Sequence, residues 1–199
     1  MGSGPRQCYQ HVVVRTRRRR YVVGGCAALA MRGRELAVLT IKGKDVGGPV
    51  FVLWCGTHRD RQRVYWSHLG TYRAMHPELF DKPVLRDMED LGDCAAEAVR
   101  QGYSAFKTNL IFPGESPITI SSLNPDSNDQ NAASDVVKHA EKQISTMRDA
   151  VGPDIDICLD INYNFKTEGS IAVGRILEPY NLFWLEIDNQ DPKALAQIK

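Results

Sequence analysis

IDICLDI at residues 155–161 and LFWLEI at residues 182–187 are the two runs that decide the fold of this chain. Each is a short apolar run of the kind that forms a buried strand, and residues 167–177 between them carry the apolar spacing of a helix. A strand, a helix and a second strand in succession form a βαβ unit with parallel strands and a right-handed crossover. The two runs therefore predict neighbouring strands of an α/β fold.

The same alternation extends toward the N-terminus. Strands are predicted at residues 63–67 and 103–110, with helices at 87–101 and 132–150, and a last helix opens at Asp191-Pro192. The segment 35–44 has the pattern of a helix end that stops before Gly47-Gly48.

Two architectures are built from such units, an open doubly wound sheet and a βα-barrel. An open sheet that binds a nucleotide carries a GxGxxG turn after its first strand, and the SHLGT sequence at residues 67–71 does not match it. We therefore predict a TIM-like (β/α) barrel. A complete barrel has eight strands, so the four predicted strands correspond to its first half.

Polar residues interrupt the apolar runs near the ends of the strands, where a βα-barrel places its reactive groups. They are Lys107 with Asn109, Asp160 with Asn162, and Glu186 with Asp188. A carboxylate directly after Phe-Trp-Leu is costly to bury unless it is paired or metal-bound. Carboxylates on successive strands suit Mg²⁺, which prefers oxygen ligands. We predict Asp160 and Glu186 as metal ligands; taken alone, Asp160 also fits a helix cap.

Other metal patterns fail. Asp160, Asn162 and Asn164 match the first, third and fifth positions of an EF-hand loop, but Phe165 replaces its glycine and Ile171 its glutamate. None of the five histidines has zinc-site spacing. His68, at the mouth end of the first strand, either contacts a substrate or makes structural hydrogen bonds. His139 is predicted to lie on a surface helix.

Composition indicates a globular protein: 199 residues, 43% of them hydrophobic, with a formal net charge of +1. Because the chain lacks the roughly 18 continuous apolar residues of a membrane span and the apolar core of a secretory signal, we expect a cytoplasmic protein without a membrane partner. Its five cysteines form no CxxC pair, which predicts reduced, structural thiols.

The charge is unevenly distributed. Residues 1–34 hold eight arginines and no acid, which leaves 17 Lys and Arg against 24 Asp and Glu, a net charge of −7, for the remainder. The run Arg17–Arg20 fits a solvated tail, a nucleic-acid contact or an organelle-targeting segment. We favour the tail, assign residues 1–34 no structure and expect no nucleic-acid partner.

Several motifs make the chain resemble the enolase superfamily, specifically its mandelate racemase and muconate lactonizing enzyme group. The segment 36–56, LAVLTIKGKDVGGPVFVLWCG, is similar to the exit from the family's N-terminal capping domain, and RDRQRVYWSH at 59–68 to the entry into the first barrel strand. GYSAFKTNL at 102–110 is similar to the lysine motif of the second strand. CLDINYNF at 158–165 and LEPYNLFWLEID at 177–188 are similar to the strands that carry the first two metal ligands.

The resemblance implies an organisation and a chemistry. Residues 35–62 would be the end of the capping domain and a linker, and residues 63–199 a partial barrel. Family members abstract a proton next to a carboxylate with the help of Mg²⁺, and full-length members form homo-oligomers. Asp160 and Glu186 would be the first two metal ligands. Lys107 would be a catalytic residue that binds the carboxylate of a sugar acid, with Asn109, His68 and Asn162 as further substrate contacts.

Three positions depart from the family pattern. Asn109 stands where racemases have a second lysine, and an amide cannot abstract a proton. Asn162 stands where some dehydratases have a histidine, and Glu186-Ile187-Asp188 replaces a frequent Glu-Glu-Pro. We therefore expect an acid-sugar dehydratase whose third ligand and base lie past Lys199. A racemase or cycloisomerase of the same family, or a catalytically inert fragment, is the alternative.

Overall fold

A computed structural model describes residues 25–54, 56–120 and 131–199, with the side chains of the first helix from residue 29 onward. The described residues fall into two compact units that divide between Gln62 and Arg63. The predictions for the basic run and for Cys8, Cys26 and Cys55 lie outside this description. Cys94 and Cys158 are free, buried thiols.

The first unit is helical. Helix α1 (Gly25–Asp45) is followed by a 3-10 helix at Val50–Trp54. The helix ends where predicted, at a turn through Gly47, whose φ of 71° lies in the left-handed region. Its start at Gly25 falls inside the basic segment to which the sequence pattern assigns no structure.

The second unit contains the strands and the remaining helices. The strands are β1 (Ala105–Asn109), β2 (Ile111–Phe112), β3 (Ile118–Thr119), β4 (Asp156–Asp160) and β5 (Trp184–Glu186). The helices are α2 (Thr71–Met75), α3 (Met88–Arg100), α4 (Ser134–Val151), α5 (Thr167–Leu177) and α6 (Pro192–Ile198), with 3-10 helices at Pro77–Leu79 and Glu178–Tyr180. In the described part of the chain, no helix is long and apolar enough to cross a bilayer.

The main sheet is parallel and follows chain order. It runs β1–β4–β5, and Trp66 bridges to Phe106 on the far side of β1. Each new strand is thus added at the same edge, without the reversal of order that defines a doubly wound sheet. This order is the one that a barrel-type α/β fold requires.

Alternation along the strands separates an outer face from an inner one. On the outer face, Phe106, Ile157 and Leu159 are fully buried and belong to the hydrophobic core, together with helix residues such as Leu91 and Ile144. On β1, Lys107 and Asn109 alternate with Phe106 and so lie on the inner face. Burial of the outer face orients the polar residues of the inner face toward the mouth.

The predicted first strand is much shorter in the structure. Only Trp66 pairs with β1, through Trp66 N to Ala105 O at 3.1 Å and Lys107 N to Trp66 O at 2.8 Å. At the start of the predicted strand, the side chain of Arg63 contacts the sheet in place of the backbone. Arg63 Nη1 donates to Asp156 Oδ2 at 2.6 Å, and its Nε donates to Ser104 Oγ at 2.8 Å.

A small hairpin after β1 was not predicted, and it changes the surroundings of His139. Strands β2 and β3 pair antiparallel, and Phe112 stacks on the His139 ring at a centroid distance of 3.9 Å. His139 Nε2 donates to the Ile111 carbonyl at 2.7 Å. His139 does lie on a helix with an exposed face, but the hairpin covers this part of α4 and leaves the histidine half-buried.

Candidate metal and substrate site

A buried lysine joins two carboxylates at the C-terminal ends of neighbouring strands. Lys107 Nζ lies 3.1 Å from Asp160 Oδ2 and 2.7 Å from Glu186 Oε2. The side chains of Lys107 and Asp160 are only 10% and 8% exposed, while that of Glu186 is 38% exposed. The trio therefore has one face open toward solvent and two members that are almost fully enclosed.

The strand register brings these groups together. Asn109, Asp160 and Glu186 are successive partners across β1, β4 and β5, so they stand at one level of the sheet. Lys107 pairs with Cys158, two residues earlier along the strands. Its long side chain reaches from that lower level to the carboxylates above it.

Electrostatics keep the lysine charged. Burial alone lowers the pKa of Lys107, but the hydrogen bonds to Glu186 and Asp160 outweigh it and raise the pKa above its ordinary value. Asp188 lies two residues beyond Glu186. Burial, followed by the negative charges of Asp160 and Glu186, raises the pKa of Asp188. The site thus gathers more negative than positive charge.

Asp160 is held by the turn that follows it. Its Oδ1 accepts a hydrogen bond from the backbone N–H of Asn162 at 2.9 Å, and Asn162 adopts a left-handed conformation with φ 51°. The other oxygen of Asp160, Oδ2, accepts a hydrogen bond from Lys107 Nζ. The turn therefore fixes the direction of the carboxylate, and Asn162 itself lines a shallow cavity with Ile187 and Asp188.

Asn109 and His68 belong to a second hydrogen-bond network beside the trio. Asn109 Nδ2 donates to the Asp160 carbonyl at 3.0 Å, and Asn109 Oδ1 accepts from Thr71 Oγ1 at 2.9 Å. His68 Nδ1 lies 3.2 Å from the same Oδ1. Of the predicted substrate contacts, these two are thus bonded to each other, and their roles toward a substrate remain predictions.

A glycine lies at the turn between His68 and Thr71. Gly70 has φ 74° and precedes α2. A Cβ at this position would lie 3.0 Å from Ile111 Cδ1. A side chain at this position would therefore be strained, both by the positive φ and by this contact.

Gln143 was missed as a contributor from the sequence. Its Nε2 donates to the Asn109 carbonyl at 2.8 Å, and its Oε1 accepts from the Ile111 N–H at 2.9 Å. The side chain is fully buried. The available signal was a polar residue among Ala140, Ile144 and Met147, which form the buried stripe of α4.

The carboxylate oxygens of Asp160 and Glu186 are suited to form part of the coordination shell of a divalent cation. Two carboxylates converge on one positive charge, and Mg²⁺ is commonly held by one or two protein carboxylates with water and substrate oxygens completing its octahedron. Within residues 25–54, 56–120 and 131–199, no group of three or more His, Cys, Asp and Glu side chains is placed to hold a metal. Asp160 and Glu186 would therefore supply part of a coordination shell.

Comparisons with known proteins agree with this architecture. The sequence profile of the family described as enolase C-terminal domain-like matches residues 90–198. A D-gluconate dehydratase of Thermoproteus tenax is 27% identical over 160 residues, which cover 80% of this chain and 27% of the relative. A D-galactonate dehydratase family member of Halomonas elongata is 26% identical over 178 residues, covering 82% and 40%.

A solved structure is similar over nearly the whole chain. A Burkholderia xenovorans protein assigned as an L-alanine-DL-glutamate epimerase is 32% identical, with a TM-score of 0.85 over 98% of this chain and 49% of its own. The same protein has been crystallised with magnesium and fumarate, with a TM-score of 0.82.

This chain spans half or less of the length of each of these relatives. The expected α/β fold with parallel strands is confirmed by these neighbours. The match of the family profile over more than half of the residues places the chain in the enolase C-terminal domain-like family.

Proposed function

We propose that this chain carries part of the active site of a Mg²⁺-dependent acid-sugar dehydratase, a lyase that removes the proton next to a carboxylate and then expels a hydroxyl group as water. The observation that carries the proposal is that Asp160 and Glu186, at the ends of adjacent parallel strands, both contact the Lys107 ammonium. The names of the dehydratase relatives support the substrate class.

Each residue has a distinct part in this proposal. Asp160 and Glu186 hold the divalent cation, and the turn at Asn162 orients Asp160 for that purpose. When bound, the metal supplies a Lewis acid that lowers the cost of negative charge on the substrate carboxylate. Lys107 adds a second positive charge for the acid group.

Removal of the proton requires a base, and Lys107 cannot act as one while Asp160 and Glu186 hold its ammonium charged. Asn109 and Asn162 are amides, which have no proton acceptor of useful basicity at neutral pH. The C3 hydroxyl of the C2-deprotonated acid takes up one proton and leaves as water, which gives an enol, and tautomerisation of the enol gives a 2-keto acid.

An epimerase is the second candidate, because the 32% identical solved relative is assigned to that activity. Proton return to the opposite face of the same carbon would need no leaving hydroxyl. The two reactions have different products. A dehydratase forms a 2-keto acid, whereas an epimerase exchanges the C2 hydrogen with solvent deuterium and retains every oxygen.

The metal site is tested first by calorimetric titration of the 199-residue chain with MgCl₂. We expect Asp160→Asn to weaken Mg²⁺ binding at least about tenfold, because removing one carboxylate charge removes a principal ligand. Asp154→Asn is the matched control, since Asp154 is exposed two residues before the start of β4, away from the strand end that carries Asp160. Equal affinities of all three proteins for Mg²⁺ would refute the metal site.

The reaction is tested by incubating the chain with D-gluconate and D-galactonate in D₂O. Formation of a 2-keto acid supports the dehydratase, and exchange at C2 without keto acid supports the epimerase. If Mg²⁺ binds at Asp160 but neither product forms, the chain holds the metal without completing the reaction by itself.

A further inference from the structure

Lys107 occupies the position between the two carboxylates that a metal ion would also take. Its Nζ approaches Asp160 Oδ2 and Glu186 Oε2, at 3.1 Å and 2.7 Å. The two acids are register partners on β4 and β5. Two neighbouring carboxylates in a mostly buried site repel each other unless a cation lies between them.

An ammonium and a metal that used the same two oxygens would compete for one place. A Mg²⁺ ion binds oxygen at about 2.0–2.1 Å, so an ion held by both Oδ2 and Oε2 would lie in the space around Nζ. Two positive charges at such a separation repel strongly where water is scarce. One of them has to leave when the other is bound.

The lysine is the group that can move. Its backbone is fixed, because Lys107 N donates to Trp66 O and Lys107 O accepts from Leu69 N, both at 2.8 Å. Its ammonium, in contrast, is a compact charge on a stem of four methylene groups with several rotamers. Only the side chain would have to change when a metal enters.

We propose that Lys107 is a displaceable internal cation, which neutralises Asp160 and Glu186 while no metal is bound and is released toward the mouth when a metal takes its place. This inference rests on the proposed function, since it concerns the same two carboxylates. It adds an order of events: the metal enters first, and the freed ammonium then becomes available to an acid anion.

Two consequences distinguish this role from that of a static substrate contact. Without Lys107 the metal has no competitor, so its affinity should rise. With Lys107 present, an acid anion should bind well only after the metal, because in the metal-free protein the ammonium is engaged by Asp160 and Glu186. A static contact predicts neither effect.

The competition is tested by calorimetry with MnCl₂ on the full chain. We expect Lys107→Met to bind Mn²⁺ at least about tenfold more tightly than the wild type and to gain more thermal stability from it, as linkage requires. Lys138→Met is the control, because Lys138 is exposed on α4. An affinity for Mn²⁺ equal to or weaker than that of the wild type would overturn the proposal.

A second measurement needs only the wild type and so does not depend on the folding of a variant. Reductive methylation with formaldehyde, read by peptide mass spectrometry, should label Lys107 several-fold faster when Mn²⁺ is saturating, while labelling of Lys138 stays constant. With metal bound, D-gluconate should slow the labelling of Lys107 again.

The outcomes separate the two proposals. If Asp160→Asn weakens metal binding but saturating Mn²⁺ leaves the labelling of Lys107 unchanged, the metal site stands and the displacement is refuted. If Asp160→Asn leaves metal binding unchanged, the proposed function fails and the displacement fails with it.

Discussion

The side chain of Asn109, a predicted substrate contact, is already hydrogen-bonded within the protein. Only 3% of the residue is exposed, and its carboxamide connects the end of β1 to the Asp160 carbonyl and to Thr71. Its backbone carbonyl accepts from Gln143. A substrate that bound the Asn109 side chain would have to compete with these bonds.

We therefore expect Asn109→Ala to act chiefly on stability. Loss of the two closest side-chain bonds and of burial should lower the free energy of unfolding by about 2–3 kcal/mol, given about 1 kcal/mol per bond and a penalty for partners left unpaired. Thr71→Val, which removes one bond, should cost about 1 kcal/mol.

Urea denaturation monitored by circular dichroism measures both changes. Gln197→Ala is a control for loss of an amide, because Gln197 is exposed on α6. If Asn109→Ala unfolds at the same urea concentration as the wild type, the network around Asn109 contributes nothing to stability, and its predicted role in substrate binding gains weight.

The sequence located the trio but not its supporting residues. Lys107, Asp160 and Glu186 each interrupt an apolar run, and parallel strands align such positions at one edge of the sheet. Thr71 and Gln143 lie 38 and 34 residues from Asn109 along the chain. Their contacts depend on how α2 and α4 pack, which no local pattern encodes. The direct contact between Lys107 and the carboxylates likewise appears only in three dimensions.

At the scale of elements, long amphipathic helices were easier to predict than short strands. Helix α5 has the predicted bounds, and α3 and α4 differ from theirs by one or two residues. Strands β2 and β3 contain two residues each, which is too few to show a period. The first strand was predicted too long, because Arg63 contacts Ser104 and Asp156 through its side chain rather than through its backbone.

The contact between α4 and the hairpin should make stability depend on pH. Burial is the largest cause that lowers the pKa of His139, and the positive charge of Lys142 adds to it, against the opposing effect of the Ile111 carbonyl. The folded protein thus binds this proton less tightly than the unfolded chain. The contribution of neutral His139 to the stability of the folded protein is present above the unfolded pKa of about 6.5. It is lost as the pH falls below that value.

We expect His139→Gln to reduce this loss, because glutamine retains a hydrogen-bond donor but does not titrate. Thermal unfolding at a series of pH values below neutrality measures the slope of stability against pH. His58→Gln, at an exposed position, should leave the slope as in the wild type. A slope that is identical in His139→Gln and the wild type would exclude His139 as the titrating group.

At the scale of the whole molecule, the described part of the main sheet has no further strand beyond β5 or beyond the Trp66 bridge. Strand β5 pairs with β4 on one side, and in the part of the chain that the structure describes no strand pairs with its other side. The opposite edge carries Val64 and Tyr65, both exposed. A βα-barrel closes only with its full set of strands, and the solved relative is about twice as long as this chain.

Open edges with exposed apolar side chains are templates for pairing with another chain. Phe183 continues β5, through its N–H to the Ile157 carbonyl at 2.8 Å, and is 56% exposed. We therefore expect the 199-residue chain to self-associate in a concentration-dependent manner. Phe183→Lys should shift it toward the monomer, because a charge on an edge strand opposes pairing.

Light scattering coupled to size-exclusion chromatography over a dilution series measures this association. Leu79→Lys separates the edge from general hydrophobicity, since Leu79 is 74% exposed but lies in a 3-10 helix away from the sheet. Association through the edge requires that Phe183→Lys alone shift the mass. An equal shift with Leu79→Lys would assign the association to exposed apolar surface in general, and a monomeric wild type at every concentration would mean that the edges are protected without a partner.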